Sequence, residues 1–339
     1  MQIRVVPRIF VPLPFNGKGA FFMERGATYL PIIIAQDLPA AKVLKQETIY
    51  AIKDQQAKHQ DIRPMKIGII NLMPDKIQTE TQLLRLLSMS PLQIDVRLLR
   101  MTHHVSKHTS QAHLTKFYAT TAEMKAENLD GLIITGAPIE QKPFEEIDYW
   151  DELCDILEWS QTHCTSVMHI CWGAQAAMYH HYNIKKTRYH EKLLGVFEQT
   201  IVQGHPTLRG FSKQFYCPHS RFTGIDEQAL QKSDLDVLAT SHKTGPAIVA
   251  SKNQKNLFLF GHLEYETDTL LKEYQRDLMT GKAKKPEHYF IEDDPNKGVI
   301  NTWQSHASLF FLNWIHDTYQ RTPFDETQIG QVECRLTEN

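Results

Sequence analysis

The segment TSVMHICWGAQAAMYHH, residues 165–181, changes character at a residue that can do chemistry. An apolar run stops at Cys171, and a helix-like pattern begins directly after it. A thiol at a helix N-terminus feels the positive end of the helix dipole, which favours the thiolate. Gly173 removes a Cβ where the backbone has to bend, and the backbone N–H of Trp172 points to where an oxyanion would form. The arrangement follows the logic of a nucleophile elbow, although that motif is usually a serine between two glycines. Most free cysteines are buried and inert. Cys154, within an amphipathic helix, Cys164, at the start of an apolar strand, and Cys217 read that way. A nucleophilic cysteine needs a base, and the base needs an orienting group. In LFLFGHLEYE, residues 257–266, an apolar strand ends at Gly261, His262 follows, and Glu264 comes two residues later. In an extended segment, residues i and i+2 project to the same side. Glu264 is therefore expected to hold His262 in one tautomer, completing a Cys-His-Glu set.

Such a set must be brought together by strands and helices. From residue 66 the chain alternates between the two. MKIGIINL is a continuous apolar run, as in a strand buried on both faces. KIQTETQLLRLLSMS follows with Leu83, Leu84, Leu86 and Leu87 at helical spacing. LQIDVRLLR and LDGLIITGAP read as strands, the second ending in a Gly-Pro turn. DYWDELCDILEWSQTH reads as a helix, CTSVMHI as a strand, and WGAQAAMYHHY as the helix behind Cys171. The expected fold is α/β, a doubly wound, mostly parallel sheet with helices on both faces. In such sheets chemistry sits at the carboxyl ends of the strands. After residue 195, DLDVLATS, GPAIVASK and NLFLFGH look like an extension that is partly antiparallel. ETDTLLKEYQRDLMTG, with Gly281 as C-cap, and SLFFLNWIHDTY are expected helices.

Bulk properties narrow the function. The 339 residues carry 37 Lys+Arg against 39 Asp+Glu, so no basic field points to nucleic acid. No apolar run approaches the length of a membrane span. Five cysteines without a C-x-x-C pair suggest a reducing compartment and neither a zinc nor a redox motif. His103-His104 and His180-His181 read as surface pairs without a metal-ligand pattern, so no metal is expected. The first 29 residues lack a continuous apolar core and a cleavage site, which argues against export and for a cytoplasmic protein.

The segments DIRPMKIGIINLMPDKIQTETQLLRLLS, LDGLIITGAPIEQKPFEEIDYW, HICWGAQA, CPHSRF, FGHLEYETDTL and SHASLFFLNW together resemble the homoserine O-acyltransferase (homoserine transsuccinylase) family of methionine biosynthesis. The similarity covers nearly all of residues 30–325. It implies a class I glutamine-amidotransferase-like, flavodoxin-like fold and a homodimer. It implies that Cys171 forms the acyl thioester, His262 is the general base and Glu264 supports it. Lys192, Ser220 and Arg276 match the homoserine-binding positions, and a guanidinium at Arg276 suits a substrate carboxylate. Glu140 stands where acetyl-CoA users have Glu and succinyl-CoA users have Gly. A carboxylate there fills the acyl pocket and repels a succinyl carboxylate. The implied reaction is ping-pong acetyl transfer from acetyl-CoA to the γ-hydroxyl of L-homoserine, with acyl-CoA as co-substrate and no tightly bound cofactor.

Succinyl transfer is the alternative. A glutamine amidotransferase or related Cys hydrolase would use the same set, and a non-catalytic binding module is the third reading. No P-loop or other nucleotide-binding motif accompanies the fold. Class I amidotransferases have Gly two residues before the cysteine, where this chain has His169. Family chains start near LPIIIAQDLPA, so residues 1–29 read as an extension before a start at Leu30. Residues 30–339 then form a single α/β acyltransferase domain.

Overall fold

The computed structural model describes residues 32–35, 38–46, 51–53, 63–104, 109–279, 281 and 284–331. The stretch 1–29 and Cys334 lie outside the described residues.

Along the chain come β1 (Ile32–Ile34), α1 (Pro39–Gln46), β2 (Ala51–Lys53), β3 (Met65–Ile70), α2 (Lys76–Leu87), β4 (Ile94–Arg100), β5 (Ala119–Thr120) and β6 (Leu129–Ile134). Then follow α3 (Trp150–His163), β7 (Cys164–Ile170), α4 (Trp172–Tyr182), β8 (Lys186–Ile201), β9 (Gln214–Ile225), β10 (Leu235–Ser241), β11 (Gly245–Ser251) and β12 (Asn256–Leu259). Helices α5 (Thr269–Met279) and α6 (Gln304–Arg321) close the chain. The strands form one sheet in the order β2-β1-β4-β3-β6-β7-β12-β11-β10-β8-β9, with β5 alongside β4. From β2 to β12 every pairing is parallel, and from β12 to β9 every pairing is antiparallel. The apolar runs are strands because both faces are covered. β6 and β12 are buried at every position. Alternate residues feed opposite cores. Ile133, Met168 and Leu257 pack with Leu83, Leu84, Phe310 and Trp314 of α2 and α6. Leu132, Val167 and Phe258 pack with Leu153, Leu157, Trp172 and Met178 of α3 and α4.

Two features of this sheet position the site. The order reverses between β3 and β6, because the chain leaves β3 toward β4 on one side and reaches β6 on the other. The crevice at such a reversal is where open α/β sheets bind ligands. Second, the register pairs Ile134 with His169 and Ile170 with Leu259, so β6, β7 and β12 end level with one another. Gly136, Cys171 and His262 all follow those ends.

The β8–β9 hairpin was not legible beforehand. Its pairing slips between Arg188 and Leu193, so residues 189–192 bulge from β8. A bulge re-aims side chains and bends its strand, and here it carries Lys192.

Candidate active site

Cys171 has φ 52° and ψ −112°, left-handed values that only a tight, over-determined turn holds in a non-glycine residue. Its backbone N–H donates to Leu259 O at 2.6 Å, tying the turn to the end of β12. A Cβ at Gly173 would lie 2.7 Å from Thr135 O and 3.0 Å from Ile134 O, so α4 can approach β6 only with glycine there. Trp172 is the first residue of α4, so its backbone N–H has no partner within the helix.

His262 Nδ1 lies 2.6 Å from Glu264 Oε1, both residues being buried. That leaves Nε2 facing the cleft that Cys171 and His262 line together. Burial works against a charged His262. The Cys171 sulfur and the Glu264 carboxylate oppose it and hold the imidazole well above the usual histidine range. Gly136 closes the other side: a Cβ there would meet Cys171 Cβ at 3.2 Å and His262 Cε1 at 3.7 Å. Tyr265 stacks on the imidazole with ring centroids 4.2 Å apart.

A cleft of about 830 Å³ opens over Cys171 and His262. Glu140, Lys192, Ser220 and Arg276 all line it. The structure thus brings together every side chain the sequence singled out except Glu264, which lies behind His262. A smaller cavity of about 250 Å³ touches Glu264 and Tyr265 but not Cys171. Glu140 Oε1 accepts the Phe222 N–H at 3.3 Å, which fixes the carboxylate across the cleft. Arg276 differs from expectation in one respect. Its guanidinium is largely exposed, and Nε and Nη2 both engage Asp277, at 3.0 and 2.9 Å.

Sequence reasoning missed Glu273. Its Oε2 receives Lys192 Nζ at 3.3 Å and the Ser220 hydroxyl at 2.5 Å, while Oε1 receives the Tyr265 hydroxyl at 3.0 Å. One carboxylate therefore joins the bulge of β8, strand β9 and the turn after His262. A signal existed, because Glu273 lies three residues before Arg276 on the same helix face.

A homoserine O-succinyltransferase family profile matches residues 31–324. The chain belongs to the homoserine O-succinyltransferase family. Among relatives, the homoserine O-acetyltransferase of Methanomassiliicoccus intestinalis is 52% identical over 305 residues, covering 89% of this chain and 100% of that protein. The homoserine O-acetyltransferase of Clostridium acetobutylicum is 50% identical over 300 residues, covering 87% and 100%. In fold, the crystal structure of SMU.1228c superposes with a TM-score of 0.51 at 15% identity, over 75% of this chain and 100% of that one. A glutamine amidotransferase of Thermotoga maritima gives a TM-score of 0.49 at 12% identity, over 76% and 99%. Within the homoserine O-succinyltransferase family, then, this member carries its cysteine at a sharp strand-to-helix turn. A buried His-Glu pair stands beside it.

Proposed function

We propose that the chain is a homoserine O-acetyltransferase that works through a Cys171 thioester. The observation that carries the mechanism is the buried, hydrogen-bonded Glu264–His262 pair set beside Cys171 at the floor of an open cleft. The sulfur attacks the thioester carbon of acetyl-CoA. The oxyanion is met by the Trp172 N–H, and coenzyme A leaves with a proton from His262 Nε2. Homoserine then enters. Its ammonium is received by Glu273, whose carboxylate Lys192 and Ser220 hold in place, and its carboxylate by the Arg276 guanidinium. His262 takes the γ-hydroxyl proton as the oxygen attacks the acyl carbon, and the acyl–sulfur bond breaks to release O-acetyl-L-homoserine. Glu264 keeps the proton on Nδ1, so Nε2 serves as base and then as acid.

Succinyl transfer is the second reading, favoured by the name of the family. Glu140 favours acetyl: its charge stands in the cleft that must take the acyl group, where a succinyl carboxylate would be repelled. The test is to supply homoserine with each donor and follow free coenzyme A, with intact mass read after acetyl-CoA alone. We expect turnover with acetyl-CoA and an acetyl adduct on wild type that Cys171→Ala lacks. Preference for succinyl-CoA would reject the donor assignment, and an adduct persisting in Cys171→Ala would reject the nucleophile.

A further inference from the structure

Helix α4 has chemistry at both ends. Its N-terminus presents Cys171. Its last turn presents His180 and His181, and Asn183 caps it in a left-handed conformation. The neighbouring helix α3 brings Glu158 to the same place. His180 Nε2 lies 2.7 Å from Glu158 Oε1, and His181 Nδ1 lies 3.8 Å from the same oxygen. The three ligand-type atoms all fall within 4.8 Å of one another. At roughly 2.1 Å per metal–ligand bond, an ion between them asks only for small rotamer adjustments. Glu158 is well placed to make them, being two-thirds exposed.

We propose that Glu158, His180 and His181 form a binding site for a borderline divalent transition ion such as Zn²⁺ or Ni²⁺, on the α3–α4 surface. Two imidazoles with one carboxylate select that class over Mg²⁺ or Ca²⁺, which prefer all-oxygen shells. The last carbonyls of α4 add the negative end of the helix dipole, which favours a cation. His180 lies nine positions after Cys171, about 14 Å of axial rise along the helix. The site is therefore distinct from the catalytic cleft, and water fills its remaining coordination positions.

The sequence showed the histidine pair without a third ligand, because Glu158 lies 22 residues before His180. The test is calorimetric titration of the whole chain with ZnCl₂ and with NiCl₂ in a non-chelating buffer, alongside thermal melting. We expect saturable binding of one ion per chain and a raised Tm. Binding should weaken at least about tenfold in His180→Ala, in His181→Ala and in Glu158→Gln. His180 and Glu158 reach solvent, so those variants should melt like wild type without metal and keep the test valid if His181→Ala is unstable. Cys171→Ala and Cys154→Ser should bind as wild type does. The proposal is overturned if wild type shows no saturation by about 1 mM ion. It is equally overturned if the His180→Ala/His181→Ala double variant binds as tightly as wild type, or if Cys154→Ser or Cys171→Ala abolishes binding.

Discussion

Replacing Glu273 with Gln separates the two halves of the reaction. The carboxylate accepts from Lys192, Ser220 and Tyr265 at 3.3, 2.5 and 3.0 Å. A glutamine of the same shape keeps one oxygen to accept from Lys192 and Ser220, while its amide N–H can donate to the Tyr265 hydroxyl oxygen. Lys192 retains Asp277 at 3.6 Å, so the cleft should keep its form. What disappears is the negative charge proposed to receive the homoserine ammonium. Two unit charges about 3 Å apart at an effective dielectric of about 20 attract by roughly 5 kcal/mol. Lys192 already neutralises part of that charge, and the ammonium loses water on binding. The net value therefore falls to the 1.5–3 kcal/mol typical of a hydrogen bond to a charged group, roughly. At about 1.4 kcal/mol per factor of ten, kcat/KM for homoserine should drop roughly 10- to 150-fold. Acylation of Cys171 by acetyl-CoA, read by intact mass in the absence of homoserine, should keep its wild-type rate. Steady-state release of coenzyme A against homoserine concentration supplies the other number. If Glu273→Gln lowered kcat/KM for homoserine less than about threefold, or slowed acylation as much as it slowed transfer, the ammonium assignment would be wrong.

Glu140→Gly should shift the ratio of kcat/KM for succinyl-CoA over acetyl-CoA upward by roughly 100-fold. Two carboxylates about 6 Å apart at an effective dielectric of about 20 repel by about 3 kcal/mol, and an unchanged ratio would refute the repulsion argument. Gly173→Ala drives a methyl into the carbonyls of Thr135 and Ile134, and overpacking of this kind costs about 1–3 kcal/mol. Its Tm should fall by several degrees and its acylation rate with it, whereas a wild-type melt would show that the turn has room. The raised His262 gives a pH signature. Folded and unfolded states both hold its proton below about pH 6.5, so the stabilisation is complete there. It is lost as the pH climbs toward the folded value. Cys171→Ala removes the larger of the two interactions that raise it, so the decline of Tm above pH 6.5 should flatten. Parallel declines in both proteins would disprove the coupling.

Cys171, His262 and Glu264 were legible in the sequence because each is adjacent in the chain to the feature that defines it. Cys171 stands between an apolar run and a helix, and Glu264 follows His262 at the spacing of an extended segment. The parallel half of the sheet was legible for a similar reason: strands buried on both faces are mostly apolar, as β6 and β12 are apart from Asp130 and Asn256. The long β8–β9 hairpin was not. β8 passes from a half-exposed stretch, residues 186–192, to a buried one, residues 193–197, without a two-residue alternation, and its bulge answers to a partner strand rather than to any local pattern. Lys192 and Ser220 sit on that hairpin, and nothing in their own surroundings sets them apart. Resemblance alone drew attention to them, and only the fold shows that both reach one carboxylate on α5.

What the sequence determined by itself is therefore the sharp turn at Cys171, the His-Glu pair and the buried strands that carry them, since short-range pattern encodes each. Tertiary structure decided the rest. The level ends of β6, β7 and β12 bring His262 to Cys171 across 91 residues of chain. The fold of α5 over the cleft makes Glu273 a hub, and the packing of α3 on α4 sets Glu158 beside a histidine pair. Such meetings depend on strand register and helix packing, which the whole core sets at once and no local segment specifies.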